Sequence, residues 1–169
     1  PAAAQELSAQ QIVDRMLERD LFGWQGAEIE MRMVLRARGG ETRERSIQSM
    51  SKVDGPVVRT VIRFRSPAEV AGTSFLLVQP RAGGNGPSEQ HIYLPALHRT
   101  RRIVGSERHG RFMGSDFTYA DMESRGFRQG RARKLPDESL GGRECWVLEL
   151  TPPEADSDYG RLKIWVLKE

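Results

Sequence analysis

The chain has 169 residues, a length typical of one domain that buries about two thirds of its unfolded surface. Hydrophobic residues make up 38% of it and the mean hydropathy is −0.55, with apolar runs far shorter than the roughly 20 residues of a membrane-spanning helix. The composition therefore predicts no transmembrane helix, and 26 basic against 23 acidic residues give a net charge of only +3.

This small charge is unevenly distributed. Between Arg99 and Lys134, ten basic and four acidic side chains give a net charge of +6, which leaves −3 for the remainder of the chain. A basic surface of this kind suits an anionic partner, whether lipid headgroups, an acidic protein or nucleic acid. A solvated strand face is the alternative interpretation.

Signals for catalysis and metal binding are weak. Cys145 is the only cysteine, so no disulfide forms within the chain, and its apolar neighbours predict a small buried side chain. The three histidines lack the convergent spacing of a zinc site. No nucleophile elbow, phosphate-binding loop or dinucleotide fingerprint is present. We therefore expect no enzyme, no catalytic residues, no metal and no cofactor.

The N-terminal residues predict a polar tail followed by one amphipathic helix. The tail PAAAQELSA contains no signal peptide but is similar to the region around a secretory cleavage site, which predicts a mature periplasmic protein. A cytoplasmic chain that begins in a polar tail is the alternative. Ser8 and Gln11 form a capping-box pattern, and apolar residues then recur at helical spacing over residues 8–20. Glycines within residues 22–26 are expected to end the helix.

From residue 27 the hydrophobic period changes to two, which indicates β-strands. Glycine and proline mark the turns between them, and the glycine-rich residues 83–87 predict an exposed loop. The capping-box spacing of Thr118 and Asp121 predicts a short helix from Thr118. The predicted strands cover residues 27–35, 42–52, 57–65, 73–79, 89–94, 97–104, 127–135, 143–150 and 158–167.

The predicted sheet has more apolar surface than one helix can cover. It must therefore curl around the helix, pair with a second sheet or leave a cavity. Ordinary core packing explains the apolar faces equally well, so the periodicity alone does not decide between these arrangements.

Four sequence motifs favour one of these arrangements of the sheet. The chain carries IYLPAL at residues 92–97, RRI at 101–103 and FMGSDF at 112–117, preceded by FRSPAEVAGTSFLL at 64–77. In this order and spacing they make the chain resemble the LolA-like outer-membrane lipoprotein-sorting family, over most of its length from residue 8. The resemblance implies an α+β fold, mainly antiparallel β. It implies a curled, half-open β-barrel wrapped around an N-terminal helix, with a short helix and loop as a lid.

The resemblance also bears on the limits of the domain. Residues 1–169 are expected to form a single LolA-like domain. Family members continue beyond a strand such as residues 159–167, so this chain is expected to lack its C-terminal strands. An unprotected last strand would favour an edge-strand homodimer.

Three groups of residues are candidates for contact with a ligand. The predicted apolar cavity is lined by Met31, Met33, Leu35, Ile62, Phe64, Phe75, Leu77, Ile92, Leu94, Trp146 and Leu148. Glycine-flanked aromatic residues suggest a lid loop that contains Phe112, Met113 and Phe117. Arginine binds phosphate and carboxylate well, so a headgroup or partner contact is expected at Arg99, Arg101 and Arg102. Cross-strand pairing of these arginines with glutamates, and plain core packing of the apolar set, are the alternatives.

The expected function is that of a periplasmic carrier. It binds a lipid or lipoprotein acyl chain in the cavity and delivers it to a membrane acceptor or transporter protein. The alternative is a non-catalytic accessory module of an envelope transporter complex with a filled core. Nucleic acid is not expected as a partner, because few aromatic side chains lie near the arginines of the basic window.

Overall fold

Two compact units make up the structure, which is a computed structural model. It describes residues 6–18, 26–81, 86–124, 127, 129–153 and 158–168. One unit comprises Trp24–Glu123 and the other comprises Pro1–Gly23 with Ser124–Glu169, and each is described here by itself. The organisation as a single domain stays a prediction. Among the described residues, no helix combines the length and the apolar character needed to cross a membrane.

The unit Trp24–Glu123 contains a six-stranded antiparallel sheet. Consecutive strands are neighbours throughout, so each is joined to the next as in a hairpin, and β1 and β6 form the two outer edges. Gly40 and Gly55 adopt φ of 87° and 57° in the first two turns, a conformation that glycine takes without steric cost. The strands are β1 (Gly26–Arg36), β2 (Thr42–Asp54), β3 (Val57–Ser66), β4 (Ser74–Pro80), β5 (Glu89–Leu94) and β6 (Arg99–Ile103).

One face of this sheet is apolar because the alternating side chains stay in register from strand to strand. Ile47 lies opposite Phe64, Ile62 opposite Phe75, and Phe75 opposite Ile92. Directly paired residues point to the same face, so these side chains form one continuous surface. Its centre is buried almost completely.

The segment after β6 covers that face. It consists of short 3-10 turns at Gly105–His109, Phe112–Gly114 and Ala120–Met122 rather than a regular helix. In place of the short helix predicted from Thr118, the last of these 3-10 turns follows that residue. The Thr118 backbone N–H donates to Asp121 Oδ2 at 2.7 Å, and the Asp121 N–H donates to Thr118 Oγ1 at 3.2 Å.

The second unit packs a helix against a three-stranded sheet. Helix α1 spans Ala9–Glu18, and β7 (Arg131–Leu140), β8 (Arg143–Thr151) and β9 (Leu162–Leu167) form an antiparallel sheet in that order. The predicted capping box is confirmed. The Ser8 N–H donates to Gln11 Oε1 at 2.9 Å and the Gln11 N–H donates to Ser8 Oγ at 3.2 Å. Cys145 is fully buried, as predicted.

Some element boundaries differ from the prediction. Strand β7 begins at Arg131 rather than residue 127 and continues past Pro136, where the pairing with β8 shifts register between Leu135 and Glu138. The shift accommodates a proline, which has no N–H to donate to the ladder. Strand β6 begins later than predicted because Pro95–Leu97 forms a 3-10 turn. The predicted helix end at residues 22–26 and the predicted loop at residues 83–87 lie mostly outside the described residues, as does residue 169.

In the part of the chain that the structure describes, the fold class is thus mainly antiparallel β with the helix α1, as predicted. How the sheet curls and what it encloses remain predictions. The edge-strand homodimer also stays a prediction.

Candidate functional site

The predicted cavity residues fall into two groups. Nine lie in the six-stranded unit, whereas Trp146 and Leu148 lie on β8 of the other unit. There Leu148 is buried with Ile12 and Val13 of α1, and Trp146 packs against the same cluster. These two residues therefore contribute to the packing of the helix.

The nine residues of the six-stranded unit differ in exposure. Phe64, Phe75, Leu77 and Ile92 are buried in a filled core, and Met33, Ile62 and Leu94 are half-buried against it. Leu35 is half-buried, and Met31 is 42% exposed. The centre of the predicted cavity is therefore occupied by protein side chains.

Phe112 is the residue that occupies it. Its side chain is only 1% exposed and packs edge-on against Phe75 and Tyr119, with ring centroids 5.3 Å and 5.4 Å away. The Phe64 ring also packs against it, tilted by 41° and with a centroid distance of 5.9 Å. Of the three predicted lid residues, Phe112 is thus a plug in the sheet face, while Phe117 is 54% exposed. Met113 is half-buried against the core.

The loop that carries the plug is held by a few specific hydrogen bonds. The Phe112 N–H donates to the Phe117 carbonyl at 2.7 Å, and Ser115 Oγ donates to the Phe112 carbonyl at 2.8 Å. Arg45 of β2 donates from Nη1 to the Met113 carbonyl at 2.5 Å. Met113 itself has φ 51° and ψ 32°, a left-handed conformation that costs a non-glycine residue about 1–2 kcal/mol. The loop therefore closes tightly at some conformational cost.

An open groove of about 640 Å³ lies where this loop meets β1 and β2. Its apolar wall includes Met33, Leu35 and the exposed ring of Phe117. Because Met33 also packs against the core, the groove and the plugged core share a wall. The remaining lining residues are Val34, Arg36, Ala37, Glu41, Arg43, Arg45, Arg111, Gly114, Ser115 and Asp116.

The groove is rich in arginine. Arg43 lies directly opposite Leu35, and Arg45 directly opposite Met33, so guanidinium and apolar side chains share one face. Partial burial lowers the pKa of Arg45 below its usual value, and the nearby charge of Arg43 lowers it further. Arg111 lies 3.8 Å from Asp116, and both side chains are well exposed. The groove can therefore hold an anion beside an apolar chain.

Comparison with known proteins places this geometry in a family. A protein-family model described as "-like: Uncharacterized protein" matches residues 57–169, and no curated protein sequence matches the chain. A crystal structure of a DUF1329 family protein from Desulfovibrio piger is 30% identical, with a TM-score of 0.78 over 95% of this chain and 67% of that one. A putative outer membrane lipoprotein-sorting protein domain from Vibrio parahaemolyticus is 32% identical, with a TM-score of 0.76 over 95% of this chain and 66% of that one.

The chain belongs to the LolA-like family. A LolA superfamily protein from Nitrosomonas europaea has the same fold at 16% identity, with a TM-score of 0.60 over 96% of this chain and 67% of that one. The LolA-like chain spans about two thirds of the length of each of these structures.

A buried polar network in the LolA-like chain was not predicted from the sequence. The Glu123 carboxylate is 5% exposed and accepts hydrogen bonds from Ser88 Oγ, Gln90 Nε2 and Arg108 Nη2. Gln90 Nε2 also donates to the Tyr119 carbonyl at 3.0 Å. The network ties β5 to the segment that covers the sheet. The residue that could have indicated this network is Gln90. It is polar, although it lies directly opposite the buried Leu77 on one neighbouring strand and Ile103 on the other.

The predicted contact arginines of the LolA-like chain lie on β6, away from the groove lining. Arg101 pairs with Glu107 at 2.5 Å, and this bond, together with one from the Val104 N–H, lowers the pKa of Glu107. Arg102 lies 3.8 Å from Glu89 of the neighbouring strand. Arg99 is exposed and forms no side-chain hydrogen bond or ion pair with any described residue. Glutamates thus pair with two of these three arginines. Contact of the arginines with a headgroup or partner stays a prediction.

Proposed function

We propose that the chain is a carrier of the bacterial periplasm that binds a lipid or lipoprotein acyl chain and delivers it to a membrane acceptor or transporter protein. The observation that carries this proposal is the shared wall at Met33. The groove lies on one side of it and the core that Phe112 plugs lies on the other. Withdrawal of the plug would join them into one apolar cavity. The half-open barrel around the helix, implied by the family, is part of the same proposal.

The energies favour exchange of the plug for an acyl chain. Burial of a methylene contributes about 0.8 kcal/mol, so a chain of about ten methylenes gains about 8 kcal/mol. Exposing a phenylalanine side chain costs about 1.5–3 kcal/mol on the same scale. The left-handed conformation of Met113 would relax when the loop opens, which lowers the cost further. Transfer requires no chemical reaction, because a membrane acceptor that buries the chain equally well would take it up, and closure of the loop would then refill the core.

The accessory module is the second candidate function. The observation in its favour is the filled core, in which Phe64 and Phe75 are fully buried and Phe112 is nearly so. A protein of this kind would present only its surface to a partner. It would retain no lipid.

Binding of a fluorescent fatty acid to the purified chain tests the proposal. We expect saturable binding that Leu35→Glu weakens about tenfold or more, because a carboxylate would then line the apolar wall of the groove. Leu97→Glu is the matched control, since Leu97 is 61% exposed and lies outside the groove lining. Circular dichroism checks that both variants are folded. Absence of saturable binding, or equal loss in both variants, would favour the accessory module.

A further inference from the structure

The arginines of the groove have few acidic partners. Among the described residues, Arg36 and Arg43 form no ion pair, and Arg45 donates to a backbone carbonyl and lies 5.8 Å from the Phe64 ring centroid. Arg111 forms an ion pair with the exposed Asp116, at 3.8 Å. With Glu41 the lining residues include four arginines and two acids. The groove therefore carries an excess of positive charge that the described protein does not neutralise.

This charge contrasts with that of the β6 arginines. Arg101 and Arg102 each have a glutamate within 4.0 Å, so most of that charge is satisfied by the protein. Arg43 lies instead beside an apolar wall, directly opposite Leu35 on the neighbouring strand. Arg43 is exposed and Arg45 is half-buried, so water screens the attraction of Arg45 for an anion less than that of Arg43.

We propose that the cargo is an anionic amphiphile whose phosphate-bearing headgroup binds Arg43 and Arg45, while its acyl chain lies along Met33, Leu35 and Phe117. This inference rests on the proposed carrier function and names the chemical class of its ligand. A guanidinium presents donors in a planar fork that matches two phosphate oxygens. A free phosphate ion would use only the arginines and leave the apolar wall exposed. A neutral diacylglyceryl group would use only that wall.

Binding of three soluble ligands tests this assignment. They are dihexanoyl phosphatidic acid, the uncharged dihexanoylglycerol and inorganic phosphate, each measured by calorimetry with the full chain below the micellar concentration. We expect the phosphatidic acid to bind at least about tenfold more tightly than either of the others. Only this ligand can contact the arginines and the apolar wall of the groove at the same time. Raising the salt concentration should weaken this binding.

Single charge changes locate the headgroup. Arg43→Gln should weaken phosphatidic acid binding about tenfold and leave dihexanoylglycerol binding unchanged. Glu41→Gln should strengthen phosphatidic acid binding by a few fold, because it removes a like charge from the groove. Arg63→Gln is the matched control, since Arg63 is exposed on the same sheet but points to the opposite face from Phe64.

The outcomes separate this inference from the carrier function. Equal affinity for the phosphatidic acid and dihexanoylglycerol would overturn the anionic headgroup and leave the carrier function standing. Equal affinity for inorganic phosphate would make the site an anion site without an acyl chain. An effect of Arg63→Gln as large as that of Arg43→Gln would place the headgroup elsewhere. Failure of every ligand and of the fluorescent fatty acid would overturn both proposals.

Discussion

The ring of Phe112 meets the ring of Phe75 edge-on, at a centroid distance of 5.3 Å and an interplanar angle of 76°. A residue of an irregular loop thus fills the centre of a sheet face, at the position where the sequence alone suggests a ligand cavity. The same contact stabilises the empty protein and blocks entry of an acyl chain. The stability of the loop and the binding of cargo are therefore expected to change in opposite directions.

Truncation of the plug tests this coupling. Phe112→Ala should lower the free energy of unfolding by about 3–5 kcal/mol, as removal of a buried phenylalanine does. It should also increase the affinity for a fluorescent fatty acid, since the plug no longer competes. Urea denaturation and the binding assay measure the two effects. Phe117→Ala in the same loop is the control and should cost about 0.5 kcal/mol or less. Equal destabilisation by the two variants would show that Phe112 does not plug the core.

The buried carboxylate is expected to hold the covering segment onto the sheet. Glu123→Ala leaves Arg108 and Gln90 without their shared acceptor and should cost about 3–5 kcal/mol. Glu89→Ala removes an exposed carboxylate 3.8 Å from Arg102 and should cost less than about 1 kcal/mol. Urea denaturation of both variants provides the comparison. A cost for Glu123→Ala no larger than that for Glu89→Ala would mean that the network contributes little.

The capping box sets the start of α1. Ser8→Ala removes the acceptor of the Gln11 N–H and should destabilise the protein by about 1 kcal/mol. Ser8→Asp keeps an acceptor at the same position and should retain most of the stability. Thermal denaturation of the two variants measures the difference. Equal loss in both would indicate that the hydroxyl acts in another way.

The melting temperature should depend on pH in the acid range, because some carboxylates have lowered pKa values in the folded protein. Hydrogen bonds from Lys163 and Trp165 lower the pKa of Glu138, and those from Arg101 and Val104 lower that of Glu107. A carboxylate whose pKa is lower in the folded state stabilises it above the ordinary value of about 4.5. This stabilisation is lost as the pH falls through the lowered pKa. The melting temperature should therefore decrease below about pH 4.5, and less steeply in Glu138→Gln. An identical pH profile in that variant would contradict this assignment.

Much of the local structure could be predicted from the sequence, because it depends on neighbouring residues. Ser8 and Gln11 are three residues apart and their capping box is confirmed, as is the pairing of Thr118 with Asp121. Strand β5 has the predicted limits at Glu89 and Leu94. Periodicity and turn residues are sufficient signals for features of this kind.

The plug and the buried network depend on contacts between distant residues. The bond from Arg45 to Met113 joins residues 68 apart, and that from Gln90 to Glu123 joins residues 33 apart. An irregular loop has no hydrophobic period, so nothing in the sequence distinguishes the buried Phe112 from the exposed Phe117. The arginine groove was missed for the same reason. Its positive charge comes mainly from the β1–β2 hairpin, whereas the sequence shows its largest basic excess between Arg99 and Lys134.

Photo-crosslinking with a fatty acid that carries a diazirine near its terminal methyl, followed by peptide mass spectrometry, tests the carrier function most directly. We predict adducts on residues that line the groove, within residues 33–45 and 111–117, or on the plugged core at Phe64 and Phe75. Unlabelled fatty acid should compete for them. Adducts confined to the opposite face of the sheet, at Val61 or Leu76, or the absence of any competed adduct, would contradict a cavity that carries an acyl chain.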